Sequence, residues 1–157
     1  TEGLKKIKKP ENIPDDGLLC DLMWADPEAG QRSDYEFNKS RGVGVTFNEK
    51  AVEDVCNKLD IDLISRSHQV VQDGYEFFAN RRLVTIFSAP GYMGDFDNDG
   101  AMMDVDETLM CKFIKVKPDQ KPNGFNKKGT MSAWGMGRGA AGRGAKRGGL
   151  KGGYGIF

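Results

Sequence analysis

The chain has 157 residues, 38% of them hydrophobic and 29% charged, with 23 basic and 23 acidic side chains. That length suits one domain with one core, and no apolar run approaches the roughly 18 residues that a membrane span needs. Cys20, Cys56 and Cys111 are widely spaced and form no CxxC pair, which argues against a disulfide framework or a zinc knuckle and suits a reducing compartment, cytoplasmic or nuclear.

The zero net charge hides an asymmetry. Residues 1–123 hold 16 basic and 23 acidic residues, net −7; residues 124–157 hold 7 basic residues and no acid, net +7. An acidic body with a basic tail predicts two physically different segments, divided at about residues 118–119.

In chain order, Leu4-Lys5-Lys6-Ile7-Lys8-Lys9 reads as the last turn of a basic helix ended by Pro10. It is not a signal-peptide pattern. No start signal precedes it, so the chain is expected to open inside an element, as a fragment would. Asp15-Asp16-Gly17 is turn chemistry, and Gly17 to Trp24 is an apolar run that suits helix or strand. Ala25 to Ser40, polar with Pro27 and Gly30, reads as a surface loop. Val43 to Phe47 reads as a short strand. Asn48 is a fair N-cap for a helix over Glu49–Leu59, where Ala51, Val52, Val55 and Leu59 fall on one face.

Asp62 to Ser67 reads as a buried strand, with His68 directly after it. Gly74–Phe78 and Arg82–Phe87 read as strands of a hairpin turned by Ala79-Asn80-Arg81. Ser88 to Gly100, rich in Gly, Asp and Pro, is loop. Ala101–Val105 and Leu109–Val116 are two further strands. One helix followed by mostly antiparallel strands predicts part of an α/β sandwich flanked by helices, with loops gathered at strand ends. Beyond Pro118 the pattern stops. Gly124 to Phe157 carries 12 glycines in 34 residues, with steps such as Gly137-Arg138-Gly139, and predicts a disordered tail.

Three positions bear on chemistry. His68, the single histidine, is either a hydrogen-bonded structural residue or one member of a metal-ligand set completed elsewhere. Arg41, between the polar loop and a strand, is either an ordinary surface arginine or a planar guanidinium placed for bidentate capture of phosphate or carboxylate. The 88–100 loop offers Tyr92, Asp95, Asp97, Asn98 and Asp99. It superficially suits calcium, but its flanks read as strands and no glutamate stands at the twelfth position.

The segment Arg66-Ser67-His68-Gln69-Val70-Val71-Gln72-Asp73-Gly74-Tyr75-Glu76-Phe77-Phe78 resembles the R-x-H-Q-x-V-x-D-G-Y-E-F-F segment of the phosphoprotein phosphatase family. Leu83 to Asp106 resembles the family's SAPNY loop and following strand. Leu18–Pro27 and Arg41–Phe47 match further segments in the same order. The resemblance covers about residues 4–118, and the form G-x-F-D-N-x-G-A-M-M followed by Leu109-Met110-Cys111 points to type 1 serine/threonine phosphatases. It implies the C-terminal half of a metallophosphoesterase-type β-sandwich. It also implies hydrolysis of phosphoserine and phosphothreonine in proteins by hydroxide bridging two divalent metals of the manganese or iron type.

By position, the resemblance makes His68 a metal ligand, Arg41 a holder of phosphate oxygens and Tyr92 a lining residue beside the phosphate. Trp24 and Asp26 would shape the adjoining groove. Around the site the sequence departs from the family: Gly91 replaces an asparagine, Met93 the loop cysteine, Ser40 an aspartate, and the loop before Arg41 is longer. The family's GDxHG, GDxxDRG and GNHE segments, with its other ligands and its histidine acid, do not occur, so residues 1–157 alone are expected to be inactive.

The type 1 resemblance further implies a channel for the RVxF motif of regulatory subunits, formed by Leu63, Phe77, Arg81, Val84, Met103, Leu109, Met110, Cys111 and Phe113. An extended peptide would add to a sheet edge there, with Asp60, Asp62 and Glu107 favouring basic residues before the motif. The same apolar residues also read as core, most of all Leu63 and Val84. A non-catalytic docking module is therefore the alternative to an enzyme. The tail admits two readings, an RNA-binding polycation or a solubilising segment without a partner.

Overall fold

A computed structural model of the chain describes residues 2–8 and 12–119. The stretch read as a disordered Gly/Arg tail lies outside the described residues from position 120 onward, as does Pro10. The described elements are α1 (Glu2–Lys6), α2 (Gly17–Trp24), β1 (Asp26–Pro27), β2 (Tyr35–Phe37), β3 (Val45–Phe47), α3 (Glu49–Leu59), β4 (Ile64–Arg66), β5 (Tyr75–Phe78), β6 (Leu83–Ile86), a 3₁₀ turn (Tyr92–Gly94), β7 (Gly100–Val105) and β8 (Cys111–Val116). No helix among the described residues is long and apolar enough to cross a membrane. The described residues fall into two compact units, one of residues 2–8, 12–64 and 77–83, the other of 65–76 and 84–119.

In the first unit α3 forms as its sequence dictates. The Asn48 side chain accepts a hydrogen bond from the Ala51 N–H at 2.9 Å, closing the first turn. Asp60, left-handed at φ 55°, ends the helix. Its apolar face meets the strands: Val52 and Cys56 pack with Ala79 and Leu83, and Phe47, Ile61, Ile64 and Phe78 close around them. The Phe47 and Phe78 rings meet edge-on at 6.4 Å. Burial pushes the Cys56 thiol up, so it packs as a neutral apolar group.

The loop expected over Ala25–Ser40 contains two strands. β3 takes β1 as a parallel partner (Asp26↔Thr46, Pro27↔Phe47) and β2 as an antiparallel one (Tyr35↔Phe47, Phe37↔Val45). β1 has two residues, and all three of β2 are exposed, so neither shows the alternation that marks a strand in sequence. The expected strand over Val43–Phe47 begins only at Val45, because Gly44 sits at φ 70°. The ambiguous run Gly17–Trp24 is helical, so α3 is not the one helix in the fold.

β4, β5 and β6 form a three-stranded sheet in the order β4-β6-β5. β5 and β6 are joined by four residues, too few for a parallel crossover, so they make the expected hairpin. Its turn passes through Ala79, Asn80 and Arg81, all at positive φ. In the second unit β7 and β8 pair antiparallel from Gly100↔Val116 to Val105↔Cys111, which places Met103 opposite Phe113. Asp106 closes the connection, accepting from the N–H groups of Thr108 and Met110 at 2.8 and 3.0 Å. The Thr108 hydroxyl first, and then these N–H bonds, hold its carboxyl below the usual carboxylate range.

Candidate functional site

In the first unit, α2 ends at Trp24 and β1 begins two residues later, which delivers Asp26 to the start of the β1–β3–β2 sheet. The turn between β2 and β3 closes on itself through Gly42 N–H to Asn38 O (2.9 Å) and Asn38 N–H to Gly44 O (3.1 Å), with Arg41 at its tip. Arg41 Nε donates to Asp26 Oδ2 at 3.0 Å, and the side chains are 27% and 8% exposed. The buried Asn38 ties both together: its Nδ2 donates to Asp26 Oδ2 at 3.0 Å, and its Oδ1 accepts from the Arg41 N–H at 3.1 Å. A charge-assisted bond from Nε fixes the plane of the guanidinium. Gly44 is required beside it: at φ 70°, an added Cβ would lie 3.1 Å from Trp24 Cβ.

Arg41, Asp26 and Trp24 are thus neighbours, with Asp26 the ion-pair partner of Arg41. Asn38 was missed in the sequence. Its signal was an Asn-x-x-Arg spacing inside a polar stretch, where any asparagine passes as a loop residue.

In the second unit, β4 ends at Arg66 and His68 follows at φ 77°, uncommon for a residue with a Cβ. Its Nε2 is buried. Arg66 Nη1 donates to Gln69 Oε1 at 2.7 Å across the turn. Tyr92 stands on the 88–100 loop, 39% exposed, with its ring edge-on to Phe87 at 5.0 Å and tilted against Phe96 at 6.2 Å. The loop is built around Asn98, which is 1% exposed. Asn98 Oδ1 accepts from the Tyr92 N–H at 3.0 Å, and its Nδ2 donates to Ala89 O and Asp99 O, each at 2.9 Å.

Gly91, in place of the family's asparagine, takes φ 60°, and a Cβ there would lie 3.1 Å from Pro118 Cβ. Met93, in place of the cysteine, is 77% exposed. An open hollow of about 610 Å³ borders this loop, lined by Pro90, Gly91, Phe96, Val116 and Pro118 with Asp95, Asp97, Lys117 and Asp119; neither His68 nor Tyr92 lines it.

The residues assigned to peptide docking fall in both units. In the first, Leu63 is buried and the Arg81 guanidinium lies 4.5 Å over the Phe77 ring. In the second, Val84 is fully buried as core, while Phe113 stacks on Tyr75 at 4.1 Å and 12°. Leu109, at φ 62°, and Met110 are exposed, and Met103 and Cys111 are half-buried. Burial, with Asp106 nearby, pushes the Cys111 thiol up, which favours its neutral form.

Among the described residues no group of three or more His, Cys, Asp or Glu side chains comes together to hold a metal ion. On their own they do not fit the metal pair that the resemblance implies.

No family model matches the sequence. A solved protein serine/threonine phosphatase from Saccharomyces cerevisiae, described as similar to human phosphatase PP5, superposes on the chain with a TM-score of 0.64 at 23% identity. The match covers 78% of this chain and 41% of that one. Over that part the chain shares the fold of the phosphatase. It is a mixed α/β chain with small sheets, and it spans about two-fifths of the length of the phosphatase that it matches.

Proposed function

We propose that this chain carries the phosphate-binding arginine, one metal-ligating imidazole and the peptide-docking strand of a type 1 protein serine/threonine phosphatase, acting on phosphoserine and phosphothreonine in proteins. The reading is carried by Arg41, whose guanidinium is held by Asp26 and Asn38 in a chain with a phosphatase fold. A guanidinium already fixed in plane loses little rotamer freedom when it takes phosphate oxygens. Tyr92, braced by Phe87 and by Asn98, lines the phosphate. His68 would contribute one ligand, with the others supplied by polypeptide outside residues 1–157.

A second reading, a non-catalytic module for RVxF-type regulatory subunits, is favoured by β8. There Phe113 is stacked in place beside exposed Leu109 and Met110, at the edge of a two-stranded sheet to which an extended peptide can add.

Phosphate release from a phosphoserine peptide with added manganese separates the two. Residues 1–157 alone should give no turnover. The protein extended to include GDxHG, GDxxDRG and GNHE segments should turn over, with Arg41→Ala lowering kcat/KM at least about a hundredfold, as expected of a group that stabilises transferring charge. Manganese-dependent turnover by the short chain contradicts the expectation that its metal ligands are completed elsewhere, and an extended protein indifferent to Arg41→Ala contradicts the phosphate role of Arg41.

A further inference from the structure

Two Asp-Gly steps, Asp73-Gly74 and Asp99-Gly100, meet backbone to backbone in the second unit. An added Cβ on Gly74, which sits at φ 77°, would lie 2.5 Å from Gly100 C and 2.7 Å from Ala101 N. On Gly100 it would lie 2.7 Å from Ser88 O. Only glycine allows this approach. Hydrogen bonds follow it: Asp99 N–H to Gln72 O at 2.9 Å, Phe87 N–H to Gly74 O at 2.8 Å, and Ala101 N–H to Phe87 O at 2.9 Å. The Gln72 side chain adds a bond to Asp97 Oδ1 at 3.1 Å.

The aspartates of the two steps share one cation. Lys115 Nζ, from β8, lies 2.7 Å from Asp73 Oδ1 and 2.8 Å from Asp99 Oδ2. Lys117 reaches Asp99 at 3.4 Å. The Asp99 side chain is 10% exposed and that of Lys115 34%, so this contact is shielded from water far more than a surface pair. One step closes the turn that follows His68. The other follows Asn98, which holds the Tyr92 N–H.

We infer that Lys115 is a positioning residue: it clamps the turn that follows His68 onto the loop that carries Tyr92, so that the relative placement of these two side chains is set from β8. The roles of His68 and Tyr92 rest on the phosphatase reading; the clamp stands on its own contacts. If the clamp fails its test, the phosphatase reading survives. If the extended protein releases no phosphate while the clamp holds, that reading falls alone.

The test is solution NMR on the 157-residue chain, with Lys115→Met and Lys115→Arg. Tyr92 ring shifts report its packing against Phe87 and Phe96. Amide exchange at Asp99 and Ala101 reports the crossing of the two steps, and exchange at buried Val84 reports opening of the whole unit. Lys115→Met should move the Tyr92 shifts at least halfway to random-coil values and speed Asp99 exchange about tenfold, with Val84 unchanged, as local opening requires. Lys115→Arg should restore both.

Unaltered Tyr92 and Asp99 in Lys115→Met, an equal change at Val84, or no rescue by Lys115→Arg each overturns the inference. Should Lys115→Met fail to fold, Asp73→Asn, which removes only the exposed arm, should speed Asp99 exchange about threefold; no change there overturns it as well.

Discussion

Two lysines in this molecule each hold two carboxylates, and the pairs differ in consequence. In the first unit Lys50 lies 2.9 Å from Asp34 and 2.7 Å from Asp54, with all three side chains at least 40% exposed. In the second, Lys115 spans Asp73 and Asp99 at nearly the same distances, but Asp99 is buried beneath a crossing of two glycine steps. Distance alone does not rank these contacts. Lys50 decorates a helix already fixed by its Asn48 cap and its apolar face. Lys115 stands on a strand already paired with β7 and adds a side-chain link from there to Asp73, 42 residues away in the chain.

Breaking the crossing itself should have the largest effect. Gly74→Ala forces a methyl group against the backbone of Gly100 and Ala101 at a positive φ, and should destabilise the second unit by about 3 kcal/mol in urea denaturation. Relief of that clash by a side-chain movement is not open, because the opposing atoms are backbone.

Acid should sharpen the contrast. The hydrogen bond from Lys115, with Lys117 adding charge, holds the Asp99 carboxyl below the usual carboxylate range. Its contribution is therefore present above the unfolded value of about 4 and is lost as pH falls through the lower folded value. Asp34 is also lowered, chiefly by its hydrogen bond with Lys50, and loses its contribution in the same direction. Salt separates the two. At about 1 M salt the exposed Lys50 pairs should lose their effect while the Lys115–Asp99 contact largely keeps its own, read by comparing Lys50→Met and Lys115→Met in low and high salt. The smallest effect is that of Lys50→Met itself, which should leave the urea midpoint nearly unchanged because the pair is exposed.

The same division separates what the sequence disclosed from what it did not. α3 was legible because its cap and its apolar spacing lie within twelve residues, and the β5–β6 hairpin because its connection is four residues long. β7 and β8 were legible as two apolar runs around an acidic turn. β1 and β2 were not, since two- and three-residue exposed strands leave no alternation. The candidate residues Arg41, His68 and Tyr92 were reached through local motifs. Their supports, Asn38, Asn98 and the Lys115 clamp, were not, because a buried asparagine in a loop looks like an exposed one. Nor does any local rule connect positions 73, 99 and 115.

The central claim is that the Arg41 guanidinium, fixed by Asp26 and Asn38, takes phosphate. Its most direct test is the Arg41 Nε–H resonance of the 157-residue chain, titrated with a phosphoserine peptide and with the same peptide unphosphorylated. A saturable shift with the phosphorylated peptide alone, abolished in Asp26→Ala where the guanidinium loses its anchor, is the predicted result. Equal response to both peptides, or no response to either, would contradict it.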